Sequence, residues 1–84
     1  MKKVKYDDIK NTKINLINVD DKYEYSVYHL PGAINIPYDT LISNYRSLLN
    51  KNVKYYINCK NGIKSKRAVT ILEYLGYDVV MLEN

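Results

Sequence analysis

The chain has 84 residues, enough for one domain over residues 1–84 with no room for a second core and no linker; a domain of this size buries roughly 60–65% of its unfolded surface and keeps a net stability of about 5–12 kcal/mol. Its net charge of +4 includes a gathering at Lys60, Lys64, Lys66 and Arg67 but no basic stripe interleaved with aromatics, which excludes nucleic acid as the expected partner and suits a small anionic substrate. One cysteine excludes an internal disulfide, no apolar run reaches the length of a membrane span, and no signal peptide opens the chain, so no membrane role and a reducing, cytoplasmic setting are expected.

Apolar segments alternate with amphipathic ones at spacings that suit β-α-β units, so the class is α/β, with a small parallel sheet of four to five strands flanked by helices on both faces. Val4 to Tyr6 reads as a short strand, followed by a helical turn that starts at Asp7-Asp8 and ends near Lys10. Ile14 to Val19 reads as a strand, and Asp20 to Tyr25 carries the acids of a first helical turn. Leu30-Pro31-Gly32 is a turn before the short strand Ala33 to Ile36, which Pro37 closes. A helix follows, capped by Asp39 or Thr40, with Leu41, Ile42, Tyr45, Leu48 and Leu49 at helical spacing and an end near Asn50. Val53 to Asn58 is the central strand, nearly continuous in apolar residues as a strand covered on both faces must be. Ser65 to Leu75 is a helix with Ala68, Ile71, Leu72 and Leu75 on one face and Gly76 at its C′ position; Val79 to Leu82 is the last strand. Tyrosine is the only aromatic, ten copies with no Phe or Trp, so some Tyr must serve as core aromatics with their hydroxyls bonded.

The chemistry concentrates at Cys59. It follows the central strand and opens Cys59-Lys60-Asn61-Gly62-Ile63-Lys64-Ser65, directly before a helix. In a parallel sheet, ligands sit beyond the carboxyl ends of the strands, where helix N-termini add partial positive charge. Six backbone N–H groups, those of Lys60, Asn61, Gly62, Ile63, Lys64 and Ser65, can curl into a cradle there, and Gly62 supplies the positive φ that the curl needs. Such a cradle suits either an oxyanion in front of the sulfur or the charged outer sulfur of a persulfide on Cys59. Ser65 suits an N-cap, and its hydroxyl can alternatively donate toward the sulfur. A lone cysteine at a strand end is more often a small buried hydrophobe; the glycine, the serine and four nearby cations shift the balance to a reactive thiolate.

These residues resemble a known family. Cys59 to Ser65 is similar to the active-site loop of the rhodanese-like sulfurtransferase domains. Tyr28-His29-Leu30-Pro31-Gly32-Ala33-Ile34-Asn35-Ile36-Pro37 resembles that family's Gly-His-Ile-Pro-Gly-Ala segment with its following strand, and Leu75-Gly76-Tyr77-Asp78-Val79 resembles its helix-to-strand junction. The resemblance runs from about Leu16 to Leu82. It implies a rhodanese-like fold and an enzyme whose Cys59 takes a sulfane sulfur from thiosulfate or a persulfide donor and passes it, through a cysteine persulfide, to a thiol or cyanide acceptor, a protein acceptor included. The persulfide-binding role carries over to the backbone of Lys60, Asn61, Gly62, Ile63, Lys64 and Ser65. The six-residue loop from Cys59 to Lys64 matches sulfur transfer, whereas related phosphatases use a longer loop ending in Arg. No cofactor and no metal are implied. A reading of another class is a non-catalytic binding or regulatory module, in which loop 59–65 holds an anion or an acidic segment of a partner; a thiol at the cradle's focus favours chemistry.

The chain departs from the family's pattern in three places. Asn18-Val19-Asp20 stands where Asp-Val-Arg is usual, Tyr28 replaces Gly, and Asn84 comes before the usual Gly-Gly and final helix. The departures imply a missing salt-bridge network, a slightly trimmed fold and an altered entrance or donor preference. His29, the only histidine, invites a general-base role; its place before Leu-Pro-Gly argues for a ring that bonds backbone around the turn. Asp20-Asp21 has no nearby His or Cys partner and is read as a helix start, not a metal site.

Overall fold

The computed structural model describes all 84 residues, Met1–Asn84. The elements in chain order are β1 (Lys3–Lys5), α1 (Tyr6–Ile9), β2 (Leu16–Asn18), α2 (Lys22–Val27), β3 (Ile34–Asn35), α3 (Tyr38–Leu48), β4 (Lys54–Asn58), α4 (Ile63–Tyr74) and β5 (Asp78–Glu83). The five strands form one sheet in the order β1-β5-β4-β2-β3, every pair parallel, with β4 in the middle as expected.

Alternation along the strands divides the apolar residues between two faces. Ile17, Ile57, Val79 and Met81 point to the side covered by α3 and α4, where they join Leu41, Ala68, Val69 and Leu72. Leu16 and Leu82 point to the opposite side, where Leu30 and Ala33 cover them with Tyr6, Ile9 and Tyr25. Cys59 continues the first set, so its side chain enters the α3–α4 face. The tyrosines act as the composition requires. Tyr45 and Tyr77 meet edge to face at 5.7 Å, the Tyr25 hydroxyl donates to the Ala33 carbonyl at 2.6 Å, and the Tyr55 hydroxyl accepts the Asn50 N–H at 2.9 Å.

Three local expectations are corrected. Helix α3 starts at Tyr38 after Pro37 and has no side-chain cap, so neither Asp39 nor Thr40 serves as one. The Tyr38 N–H instead donates to the Val19 carbonyl at 3.1 Å, so the neighbouring chain end of β2 satisfies a group that a cap would otherwise serve. Helix α2 starts at Lys22, with the Asp21 carboxylate accepting the Glu24 N–H at 2.8 Å, while Asp20 turns inward and is buried. Helix α4 starts at Ile63, two residues before Ser65, with Gly62 as the residue before it at φ +82°. Its other end follows the sequence reading. Gly76 sits at C′ with φ +94°, its N–H donates to the Glu73 carbonyl and that of Tyr77 to the Leu72 carbonyl, both at 3.0 Å, which is the Schellman arrangement. No helix is long and apolar enough to cross a membrane.

Candidate functional site

Cys59 is the first residue beyond the middle strand of the sheet, and the turn Lys60–Gly62 carries the chain directly into α4. Its Sγ accepts the Ser65 N–H at 3.3 Å and lies 3.4 Å from the Ser65 Oγ. Ser65 is therefore not the cap of α4. It is the third helical residue, fully buried, and its hydroxyl also lies 3.2 Å from the Gly62 carbonyl. A hydroxyl has one proton, so it donates either to that carbonyl or to the sulfur, and an anionic sulfur would draw it. The loop is closed by Asn61, whose Oδ1 accepts the Ile63 N–H at 3.0 Å. Gly62 is required by its positive φ; a Cβ there would also stand 3.3 Å from the Met81 methyl, a close contact that the flexible end of that side chain would have to relieve.

The cradle is narrower than six amides. The Lys60 N–H donates to the Asp20 Oδ2 at 2.9 Å, the Ile63 N–H to Asn61, and the Ser65 N–H to the sulfur itself. The N–H groups of Asn61, Gly62 and Lys64 have no partner within the chain. Cys59 is 1% exposed and borders a cleft of about 400 Å³ with Asn61, Gly62, Lys66, Met81 and Asn84. A group reaching the sulfur must therefore be small, or arrive on a thin extension of a larger molecule.

A row of asparagines supports the loop from below. Asn35, Asn18 and Asn58 end three neighbouring parallel strands in register. Asn35 Nδ2 donates to the Asp20 carbonyl at 2.9 Å, Asn18 bonds Asp20 through both its side-chain groups, and Asn58 Nδ2 donates to the Leu82 carbonyl at 2.8 Å and to Asn84 Oδ1 at 2.9 Å. Asn84 Nδ2 donates in turn to the Lys60 carbonyl at 3.2 Å. Lys60 is thus fixed at its N–H by Asp20 and at its carbonyl by Asn84, and no buried side-chain nitrogen or oxygen in the chain lacks a partner. Sequence reasoning missed Asn35, Asn58 and Asn84; the available signal was that β2, β3 and β4 each close on Asn.

Of the basic cluster, Lys60 pairs with Glu24 at 3.4 Å, whereas Lys64, Lys66 and Arg67 form no ion pair and remain available to an anion. His29 makes no hydrogen bond to the sulfur. Its Nδ1 bonds the Tyr25 carbonyl at 2.7 Å, which fixes the proton on that nitrogen, and its ring stacks on Tyr25 with centroids 3.7 Å apart. Replacing it is expected to affect stability and leave chemistry alone. His29→Asn should lower the melting temperature by about 4–8 °C, from loss of roughly 1 kcal/mol of hydrogen bonding and stacking. Its rate of sulfur uptake should stay within about threefold of the parent's at a temperature where both are folded; a large rate loss at unchanged melting temperature would restore the general-base role.

Comparison with known proteins gives the family and the fold. The family described as rhodanese-like domain matches residues 2–84. The adenylyltransferase and sulfurtransferase uba4 of Ogataea parapolymorpha is 36% identical over 63 residues, which cover 75% of this chain and 16% of that protein. The chain thus spans about a sixth of the length of that curated relative. A crystal structure of a rhodanese-like domain protein from Staphylococcus aureus superposes with a TM-score of 0.87 at 35% identity, covering 100% of this chain and 86% of the other. A protein of Staphylococcus saprophyticus gives 0.89 at 29% identity, covering 100% and 88%.

Proposed function

The chain belongs to the rhodanese-like domain family, and on that premise we propose that residues 1–84 act as a thiosulfate or persulfide sulfurtransferase working through a Cys59 persulfide. The observation that carries the proposal is the position of the sulfur. It lies at the end of the middle strand, accepts the N–H of Ser65 in the first turn of α4, and is followed by three amides without partners. An anion at that point is stabilised by the helix terminus and by oriented N–H groups.

The chemistry is two sulfur exchanges. The Cys59 thiolate attacks the outer sulfur of thiosulfate; a bond forms between the two sulfurs, the old S–S bond breaks, and sulfite leaves with the electron pair. A persulfide donor reacts in the same way and leaves as a thiolate. The outer sulfur on Cys59 then carries the negative charge, for which the N–H groups of Asn61, Gly62 and Lys64 are the available donors. An acceptor thiolate or cyanide attacks that outer sulfur and Cys59 departs as thiolate, restoring the enzyme. The unpaired Lys64, Lys66 and Arg67 draw anionic donors to the mouth. A thiol of a protein acceptor suits the second step, and a reducing, cytoplasmic setting keeps Cys59 ready for the first.

Thiocyanate formation from thiosulfate and cyanide, repeated with a low-molecular-weight persulfide as donor, tests the proposal. Multiple turnovers with at least one donor are expected. A protein that binds thiosulfate or sulfate yet forms no thiocyanate from either donor would instead be a binding module.

A further inference from the structure

Asp20 stands where the family's resemblance places a cation, and its surroundings give that exchange a chemical consequence. The carboxylate is 6% exposed and makes no ion pair. Its Oδ2 accepts the Lys60 N–H at 2.9 Å and the Asn18 side-chain amide at 3.3 Å, while its own N–H donates to the Asn18 Oδ1 at 2.9 Å. These hydrogen bonds anchor it against the cysteine loop. Asp20 also borders a cleft of about 430 Å³ shared with Lys60, Asn61, Lys64 and Arg67.

Two effects follow on the donor. The first amide after the cysteine, which could otherwise serve an incoming anion, is occupied by a carboxylate oxygen. A fixed negative charge is also hydrogen-bonded to the residue that follows the reacting cysteine. Of the cations that share this cleft, the Lys60 ammonium is drawn to Glu24, and the half-buried Lys64 offsets only part of the charge that Asp20, Asp21 and Glu24 bring to it. Lys66 and Arg67 are exposed, so solvent and salt screen them beyond about 8 Å, whereas a buried charge is screened far less. The exposed cations gather anions at the mouth; the buried carboxylate opposes each negative charge brought up to the sulfur.

We infer that Asp20 is a specificity-determining residue that selects sulfur donors of low negative charge, monoanionic thiosulfonates and persulfides, over dianionic thiosulfate. The inference rests on the sulfur-transfer reading of Cys59. It is tested with two donors that carry the same transferable sulfur but differ by one charge. Thiosulfate delivers it and releases sulfite; methanethiosulfonate delivers it and releases methanesulfinate. Second-order constants for loading of Cys59 are measured by timed quenching and intact-protein mass spectrometry, for the wild-type protein, Asp20→Asn and Asp20→Ser. Asp20→Asn keeps an oxygen in place to accept the Lys60 N–H, and Asp20→Ser removes the charge with a shorter side chain.

In the wild type, methanethiosulfonate is expected to load faster than thiosulfate. In either folded variant the ratio of the thiosulfate constant to the methanethiosulfonate constant should rise about tenfold, the effect of one extra unit charge acting over roughly 10 Å at the effective dielectric of a protein surface. Comparing that ratio between variant and wild type cancels the donors' intrinsic reactivities and any general loss of activity. A wild type that loads thiosulfate faster, or a ratio unchanged in a folded variant, overturns the inference and leaves Asp20 as a clamp on Lys60. Absence of loading by both donors in all three proteins overturns the inference and, if a low-molecular-weight persulfide also fails to load Cys59, the sulfur-transfer reading with it.

Discussion

Cys59→Ser is expected to lower sulfur transfer by at least about a thousandfold, a loss of roughly 4 kcal/mol of transition-state stabilisation. The serine hydroxyl is not ionised near neutral pH and is a poor nucleophile toward divalent sulfur, so the covalent intermediate does not form. The chain has no other cysteine, so no second thiol can take over. Stability should change little by comparison. The serine hydroxyl occupies nearly the same buried space and keeps the Ser65 N–H as a partner, so a melting temperature within about 8 °C of the parent's is expected, equivalent to 1–2 kcal/mol or less. Thiocyanate formation and thermal unfolding, measured on the same preparation, separate the two effects. A Cys59→Ser protein that transfers sulfur as well as the parent would remove Cys59 from the chemistry.

The largest expected effect on stability is at Leu41. It is the one buried side chain of α3, fully enclosed, and it packs in the cluster with Ile17, Val19, Ile57 and Cys59. Leu41→Ala removes the contact that seats α3 on the sheet and leaves a cavity above β2 and β4. Buried Leu→Ala changes cost about 3–5 kcal/mol, a large share of the 5–12 kcal/mol or so available to a domain of this size. At about 4–8 °C per kcal/mol, the melting temperature should fall by at least 12 °C or so. Thermal unfolding followed by circular dichroism measures it. A fall below about 4 °C would mean that α3 does not depend on Leu41 for its place.

The parts of the fold that were legible in the sequence are those set by short-range patterns. Helix α4 shows its buried face through Ala68 and Leu72 at helical spacing, and Gly76 marks its end because the Schellman turn needs a positive φ there. Strand β4 shows as an apolar run, and its central place follows from that run. Element ends were less legible. Gly62 starts α4 through its backbone conformation alone, and Asn61 closes the turn, so the serine three residues after Gly62 resembles a cap that the helix does not use.

The cysteine loop was legible as a unit, but its amides were not. The first of them is occupied by Asp20, which is 40 residues away from Lys60 in the chain. Adjacent acids at a strand end look alike in sequence; the strand's alternation sends Asp20 inward to Asn18 and Lys60 and leaves Asp21 to cap α2. The asparagine row is hidden for the same reason, since its partners come together only through the register of three parallel strands. The pairing of Asn18 with Asp20 also gives physical content to the departure from Asp-Val-Arg. A hydrogen-bonded amide and carboxylate stand there, and the carboxylate holds the Lys60 N–H.

The central claim is that Cys59 carries a transferable sulfur, and intact-protein mass spectrometry of the reduced protein after exposure to thiosulfate or a low-molecular-weight persulfide tests it most directly. The account predicts a gain of one sulfur atom that mapping places on Cys59 and that an added thiol removes. A protein whose mass stays unchanged with every donor, while folded and fully reduced, would contradict it.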